Sequence, residues 1–175
     1  PSVLNVLGND TTNGATSTTG DVTITVASGS TVPSELTFDP STGAVGVAAG
    51  TPAGAYSFDY TICETANPTN CETATVSVTV APPAIVADDD SVNAVNGTAG
   101  AADVLDVLDG DTLNGTQVAV SDVTVTVTDP ADPINSGPVP TLDPATGLIS
   151  VPEGTPAGDY TITYQICDPV NPAVC

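Results

Sequence analysis

FDPSTGAVGVAAGTPAGAYSFDYTIC, residues 38–63, returns at residues 142–167 as LDPATGLISVPEGTPAGDYTITYQIC, an offset of 104 residues. Upstream, NVLGNDTTNG at residues 5–14 answers DVLDGDTLNG at residues 106–115 at an offset of 101, the difference falling in the loop around residues 129–138. A period of about a hundred residues is the size of a whole domain, too long for a solenoid repeat and suited to a small β-sandwich. The chain therefore reads as two copies of one unit.

Within each copy the apolar residues alternate. Val22, Ile24 and Val26 are separated by threonines, as are Val123, Val125 and Val127. Tyr56, Phe58, Tyr60 and Ile62 share one face of an extended segment, mirrored by Tyr160, Ile162, Tyr164 and Ile166. Ala74, Val76, Val78 and Val80 form a further inward row. Period-two alternation describes strands with one face in a core and the other in water. Sixteen glycines and sixteen prolines, spread along the chain, punctuate these segments as turns. The expected fold is all-β, two tandem immunoglobulin-like sandwiches with almost no helix.

The same parity places the cysteines. Cys63 and Cys167 fall opposite the aromatic row, and Cys71 falls with Thr73 and Thr75 opposite the valines, so they face outward. CETANPTNC and CDPVNPAVC read as hairpin loops with an Asn-Pro turn, closed by cross-strand disulfides Cys63–Cys71 and Cys167–Cys175. The alternative, a metal-binding thiolate pair, has too few ligands per domain for a zinc site. Disulfides imply an oxidising, extracellular compartment.

Composition removes most chemistries. The chain has no lysine, arginine or histidine but 21 carboxylates, for a formal net charge of −21. No cation is available to displace counterions from nucleic acid, no imidazole to act as a base near neutrality, and no lysine for Schiff-base chemistry. An acid pair such as Asp106 and Asp109 could in principle hydrolyse a glycoside, but no aromatics are left to stack a sugar, all but Phe38 following the core pattern. No segment is long and apolar enough to insert in a membrane as a helix, and no organic cofactor is indicated. The expectation is a protein that is not an enzyme.

Repeat alignment divides the chain into residues 1–80, a Pro82-Pro83 linker over residues 81–86, and residues 87–175. The first copy lacks a counterpart of ADDDSVNAVNG, an N-terminal strand, and the second lacks a counterpart of ETATVSVTV, a C-terminal strand. Two readings fit: a piece cut from a longer tandem array, or strands exchanged between neighbouring molecules.

ADDDSV, followed by DVLDGDT and a closing strand like ATVSVTV, resembles the bacterial cadherin-like and immunoglobulin-like repeats of giant secreted adhesins. The lysine-free texture of TFDPSTGAVGVAAGTPAG and YTICETANPTNCETATVSVTV is most similar to surface proteins of the Bacteroidota, including gliding-associated proteins exported by the type IX system. The resemblance implies a non-catalytic repeat of an extracellular stalk or surface filament, whose partners are neighbouring repeats. It names no ligand, and a carbohydrate- or protein-binding surface module is the alternative.

Two sets of candidate sites accompany it. Asp88, Asp89 and Asp90 stand at the junction, with Asp109 and Asp111 in a following turn; hard carboxylate oxygens suit calcium, and cadherin-like families often hold it in such places. The spacing is not that of an EF-hand, since Val120 stands where the bidentate glutamate should, and an acidic turn satisfied by its own backbone explains the same residues. Thr11, Ser91 and Thr112 lie in short Asp-Ser/Thr-apolar stretches resembling the O-glycosylation sequon of Bacteroidota, which a threonine-rich chain also produces by chance. Asn-x-Thr sequons at Asn9, Asn96 and Asn114 are also ordinary turn sequences.

Overall fold

The computed structural model describes residues 2–175, and they form an all-β protein in two compact units that divide between Pro82 and Pro83. In the first unit the strands are β1 (Ser2–Asn5), β2 (Thr11–Thr12), β3 (Ala15–Thr16), β4 (Val22–Val26), β5 (Leu36–Asp39), β6 (Ala44–Val47), β7 (Gly54–Glu64) and β8 (Asn67–Val80). They make antiparallel sheets β1–β6–β5 and β4–β7–β8 and a small β2–β3 hairpin. The second unit holds β9 (Ile85–Val86), β10 (Ala101–Asp106), β11 (Thr112–Leu113), β12 (Thr116–Gln117), β13 (Thr124–Asp129), β14 (Thr141–Asp143), β15 (Leu148–Val151) and β16 (Thr163–Cys167). Its sheets are β10–β15–β14, β13–β16 and β12–β11–β9.

The two units share the register of this central pairing. Ile24 lies opposite Ile62 and Val26 opposite Tyr60, as Val125 lies opposite Ile166 and Val127 opposite Tyr164. Each unit buries its own apolar cluster, drawn from two sheets. The first gathers Leu36 and Val45 from one sheet and Val22, Ile24, Phe58, Tyr60 and Val76 from the other; the second gathers Leu142 with Val125 and Ile166. The outward side of β7 is polar, where Thr75 donates to Asp59 Oδ1 at 2.7 Å. Phe38 joins the core face: its ring lies 5.0 Å from that of Phe58.

The repeated motifs turn out to be turn chemistry. In DPSTG, Asp39 Oδ1 accepts from the Ser41 N–H at 2.9 Å, and Gly43, at φ +75°, donates back to the Asp39 carbonyl at 2.8 Å. DPATG repeats both bonds through Asp143, Ala145 and Gly147. In TPAG, the Tyr56 hydroxyl donates to the Pro52 carbonyl at 2.8 Å, and the Tyr160 hydroxyl to that of Pro156 at 2.9 Å. Asn13-Gly14 and Asn114-Gly115 both have positive φ and close two-residue hairpins.

Three local expectations change. Ile85 and Val86, assigned by sequence to the linker, pair with Leu113 and Thr112 and belong to the second unit. Asn67 and Pro68 do not make the hairpin turn. Residues 65–66 make it, and Asn67 already pairs with Glu64, leaving extra residues bulged before Cys71 meets Cys63. The row from Tyr160 to Ile166 is extended by pattern, yet only Thr163–Cys167 forms a strand, whereas its counterpart β7 runs for 11 residues.

Candidate functional site

Both cysteine pairs are disulfide-bonded: Cys63 with Cys71, and Cys167 with Cys175. Cys63 and Cys71 face each other across β7 and β8, with Cys71 exposed, as the parity requires. Closing such short loops contributes about 2–3 kcal/mol in the chain-entropy account. Two disulfides fit an oxidising environment. No helix among the described residues is long and apolar enough to cross a membrane.

The acidic turn is built the same way twice and then diverges. At the end of β1, Asn5 Oδ1 accepts from the Leu7 N–H at 2.9 Å, turning the chain so that Val6 and Leu7 enter the core. Asp106 Oδ1 does this for Leu108 at 3.0 Å. Asp10 and Asp111 follow at equivalent places. In the first unit the buried Tyr60 hydroxyl donates to Asp10 Oδ2 at 2.8 Å, and burial, then the Asp10 hydrogen bond, hold the Tyr60 phenol well above its ordinary range.

In the second unit the segment after β9 occupies this place. After β9, the Asp88 N–H donates to Asp111 Oδ1 at 2.8 Å, and Asp111 becomes fully buried. Its Oδ2 has no hydrogen-bond partner. Burial raises the Asp111 pKa above the usual carboxylate range; the Asp88 N–H opposes this, while the charges of Asp90, Asp88 and Asp106 add to it. The Tyr164 hydroxyl has acceptors in Val107 O at 2.8 Å and Asp90 Oδ2 at 3.0 Å, and burial followed by the Asp90 bond pushes its phenol upward.

Of the five acids read from sequence as metal ligands, Asp88, Asp90 and Asp111 come together. Asp89 is exposed and acts electrostatically on Tyr164, and Asp109 is exposed in the turn. Asp106, not counted among those five, is the further charge acting on Asp111. Among the described residues no three acids, cysteines or histidines are arranged closely enough to hold a metal ion as they stand. The orphaned Asp111 Oδ2 is nevertheless an uncompensated acceptor. Parity put Tyr60 and Tyr164 in the core and missed their hydroxyl contacts; a tyrosine where phenylalanine would suffice is the signal for them.

Thr11 lies exposed on the edge strand β2 and Ser91 exposed in coil, while Thr112 is half-buried in the central strand β11 between Gln117 and Val86. Two shallow surface recesses, around residues 48–52 and 99–102, each offer one carboxylate, Glu35 or Glu153, and no aromatic. Large apolar residues that are exposed are scattered valines, among them Val3 and Val92. The chain matches no protein-family model and no curated protein.

Proposed function

We propose that this chain is a non-catalytic building unit of an extended extracellular stalk or surface filament, made of tandem immunoglobulin-like sandwiches. The observation that carries this reading is what the two copies share. DPSTG and DPATG, the paired TPAG turns and the two hairpin disulfides all hold backbone in place, and none converges on a cleft. The immunoglobulin-like assignment is supported by a core drawn from two sheets and by a tyrosine at the start of β7 bonding back to upstream backbone.

Physical chemistry suits the task. Local disulfides, one across β7 and β8 and one closing the loop after β16, restrain the chain outside the cell, the lack of lysine and arginine leaves trypsin-like proteases no bond to cut, and a net charge of −21 keeps neighbouring chains apart. Calcium belongs to the same proposal, at Asp88, Asp90 and Asp111, where a divalent ion would neutralise the buried Oδ2 that has no partner. Glycosylation at the exposed Thr11 and Ser91 would leave the core untouched.

The test is a panel of glycans, peptides and hydrolase substrates offered to the purified, oxidised chain. The scaffold reading expects no turnover and no tight ligand. A defined glycan bound in the micromolar range or tighter, or any catalysed hydrolysis, would replace it with the binding-module or enzyme reading.

A further inference from the structure

We propose that the outward face of the β4–β7–β8 sheet is a contact surface between copies of this chain, where two strongly acidic molecules meet across rows of uncharged threonines. The proposal rests on the building-unit reading and names the surface through which its units associate.

Alternation places on that face every second residue of the three strands, opposite Ile24, Phe58, Tyr60 and Val76 of the core. Thr25, Thr61 and Thr73 stand in one row across the sheet, since Thr25 pairs with Thr61 and Thr61 with Thr73. Thr25 and Thr73 are exposed, and Thr61 is half-buried between them. Thr23 lines up with Cys63 and Cys71 in the next row, and Thr75 lies opposite Asp59. Among the described residues Asp59 is the one carboxylate on this face of the three strands, in a chain that carries 21. The second unit distributes charge the same way: residues 124–128 of β13 and the whole of β16 contain no carboxylate.

Hydrogen bonding lowers the cost of drying this face. The Thr61 and Thr73 hydroxyls bond each other at 2.9 Å, and the Thr75 hydroxyl donates to Asp59 Oδ1 at 2.7 Å. Thr23 and Thr25 turn their hydroxyls to the Cys63 and Thr61 carbonyls, at 3.4 and 3.5 Å. A polar group already bonded within the sheet loses little when water leaves, whereas a carboxylate would be desolvated against its own kind.

Charge then selects the occupant. A basic partner is drawn to the acidic turns instead, and a sugar finds no aromatic ring on the outward side of these strands. A partner as acidic as this chain approaches closely only where both surfaces lack charge, and a second copy presents that same face to a two-fold contact. Flat β-branched rows also pack well face to face, as sheets do at about 10 Å.

The experiment is sedimentation equilibrium of the oxidised 175-residue protein, with chelator, at about 0.01 M and about 0.15 M sodium chloride, between which the Debye length falls from about 30 Å to about 8 Å. Self-association should strengthen at least about tenfold with salt, because screening removes the repulsion of the acidic remainder and leaves the neutral contact. Thr61→Asp, on the central strand, should abolish it by setting like charges across the contact, and Thr61→Val should retain it. If Thr61→Asp unfolds the first unit, amide shifts of the native protein on concentration decide, expected at residues 23–25, 59–61 and 73–75. A monomer at both salt concentrations, association that survives in folded Thr61→Asp or is lost in Thr61→Val, or shifts confined to the acidic turns would overturn the proposal. Such failure leaves the scaffold reading standing, because the ligand and substrate panel tests that separately.

Discussion

The Asp88 N–H holds one oxygen of the Asp111 carboxylate at 2.8 Å, while the other oxygen is buried and bonded to nothing. The equivalent Asp10 instead accepts from Tyr60 and is only half-buried. The segment from Ile85 to Asp90 thus seals one carboxylate among its own kind.

Asp111→Asn should stabilise the second unit at neutral pH. The amide oxygen keeps the Asp88 bond, and the new N–H₂ donates to the surrounding carboxylates, recovering about 1–3 kcal/mol of an unmet polar group's cost. Because the folded pKa of Asp111 is raised, the native state binds a proton more tightly than the unfolded chain. Its stability contribution is present below the unfolded carboxylate range and is lost as pH rises through the raised value. Thermal melts across that window should show wild type losing stability relative to Asp111→Asn as pH rises; parallel curves would contradict this.

Calcium should raise the melting temperature of the second unit beyond what sodium chloride does at equal ionic strength, and Asp111→Asn should abolish the difference. General screening relieves the net charge without distinguishing ions. Identical melts in chelator and in millimolar calcium would leave screening alone.

The disulfides are local and separable. Cleavage after Glu64 should leave two peptides joined through Cys63–Cys71, with an independent Cys167–Cys175 bridge, in non-reducing mass mapping. Replacing Cys63 and Cys71 by serine should cost the first unit about 2–3 kcal/mol and leave the second unchanged. A Cys63–Cys167 link would break the strand pairing described above.

Gly43→Ala should destabilise the first unit by more than about 1 kcal/mol, since φ +75° is unfavourable for any side chain and the added carbon would sit 2.9 Å from Asn5 Oδ1. Gly14→Ala, at φ +79° but with open space around it, carries only the backbone part of that cost and should be milder in chemical denaturation. Equal losses would remove the packing argument.

Local chemistry was readable from residues; non-local pairing was not. The Asn-Gly hairpins, the DPSTG turn and the outward cysteines follow from side-chain parity and turn propensities within a few positions. Strand length at Tyr160–Ile162 did not, because a strand persists only where another strand pairs with it. The burial of Asp111 was equally hidden, since it depends on Asp88, 23 residues away in sequence. Asn-Pro makes a turn in the second unit, where the Val174 N–H donates to the Asn171 carbonyl at 2.8 Å, but not in the first, where residues 65–66 reverse the chain before it.

The central claim is that these units build length. Electron microscopy of native surface material, labelled with antibody to the folded 175-residue chain, tests it most directly. The account predicts label along extended threads or ordered filaments projecting from the cell. Label confined to dispersed, compact particles shed into the medium would contradict it.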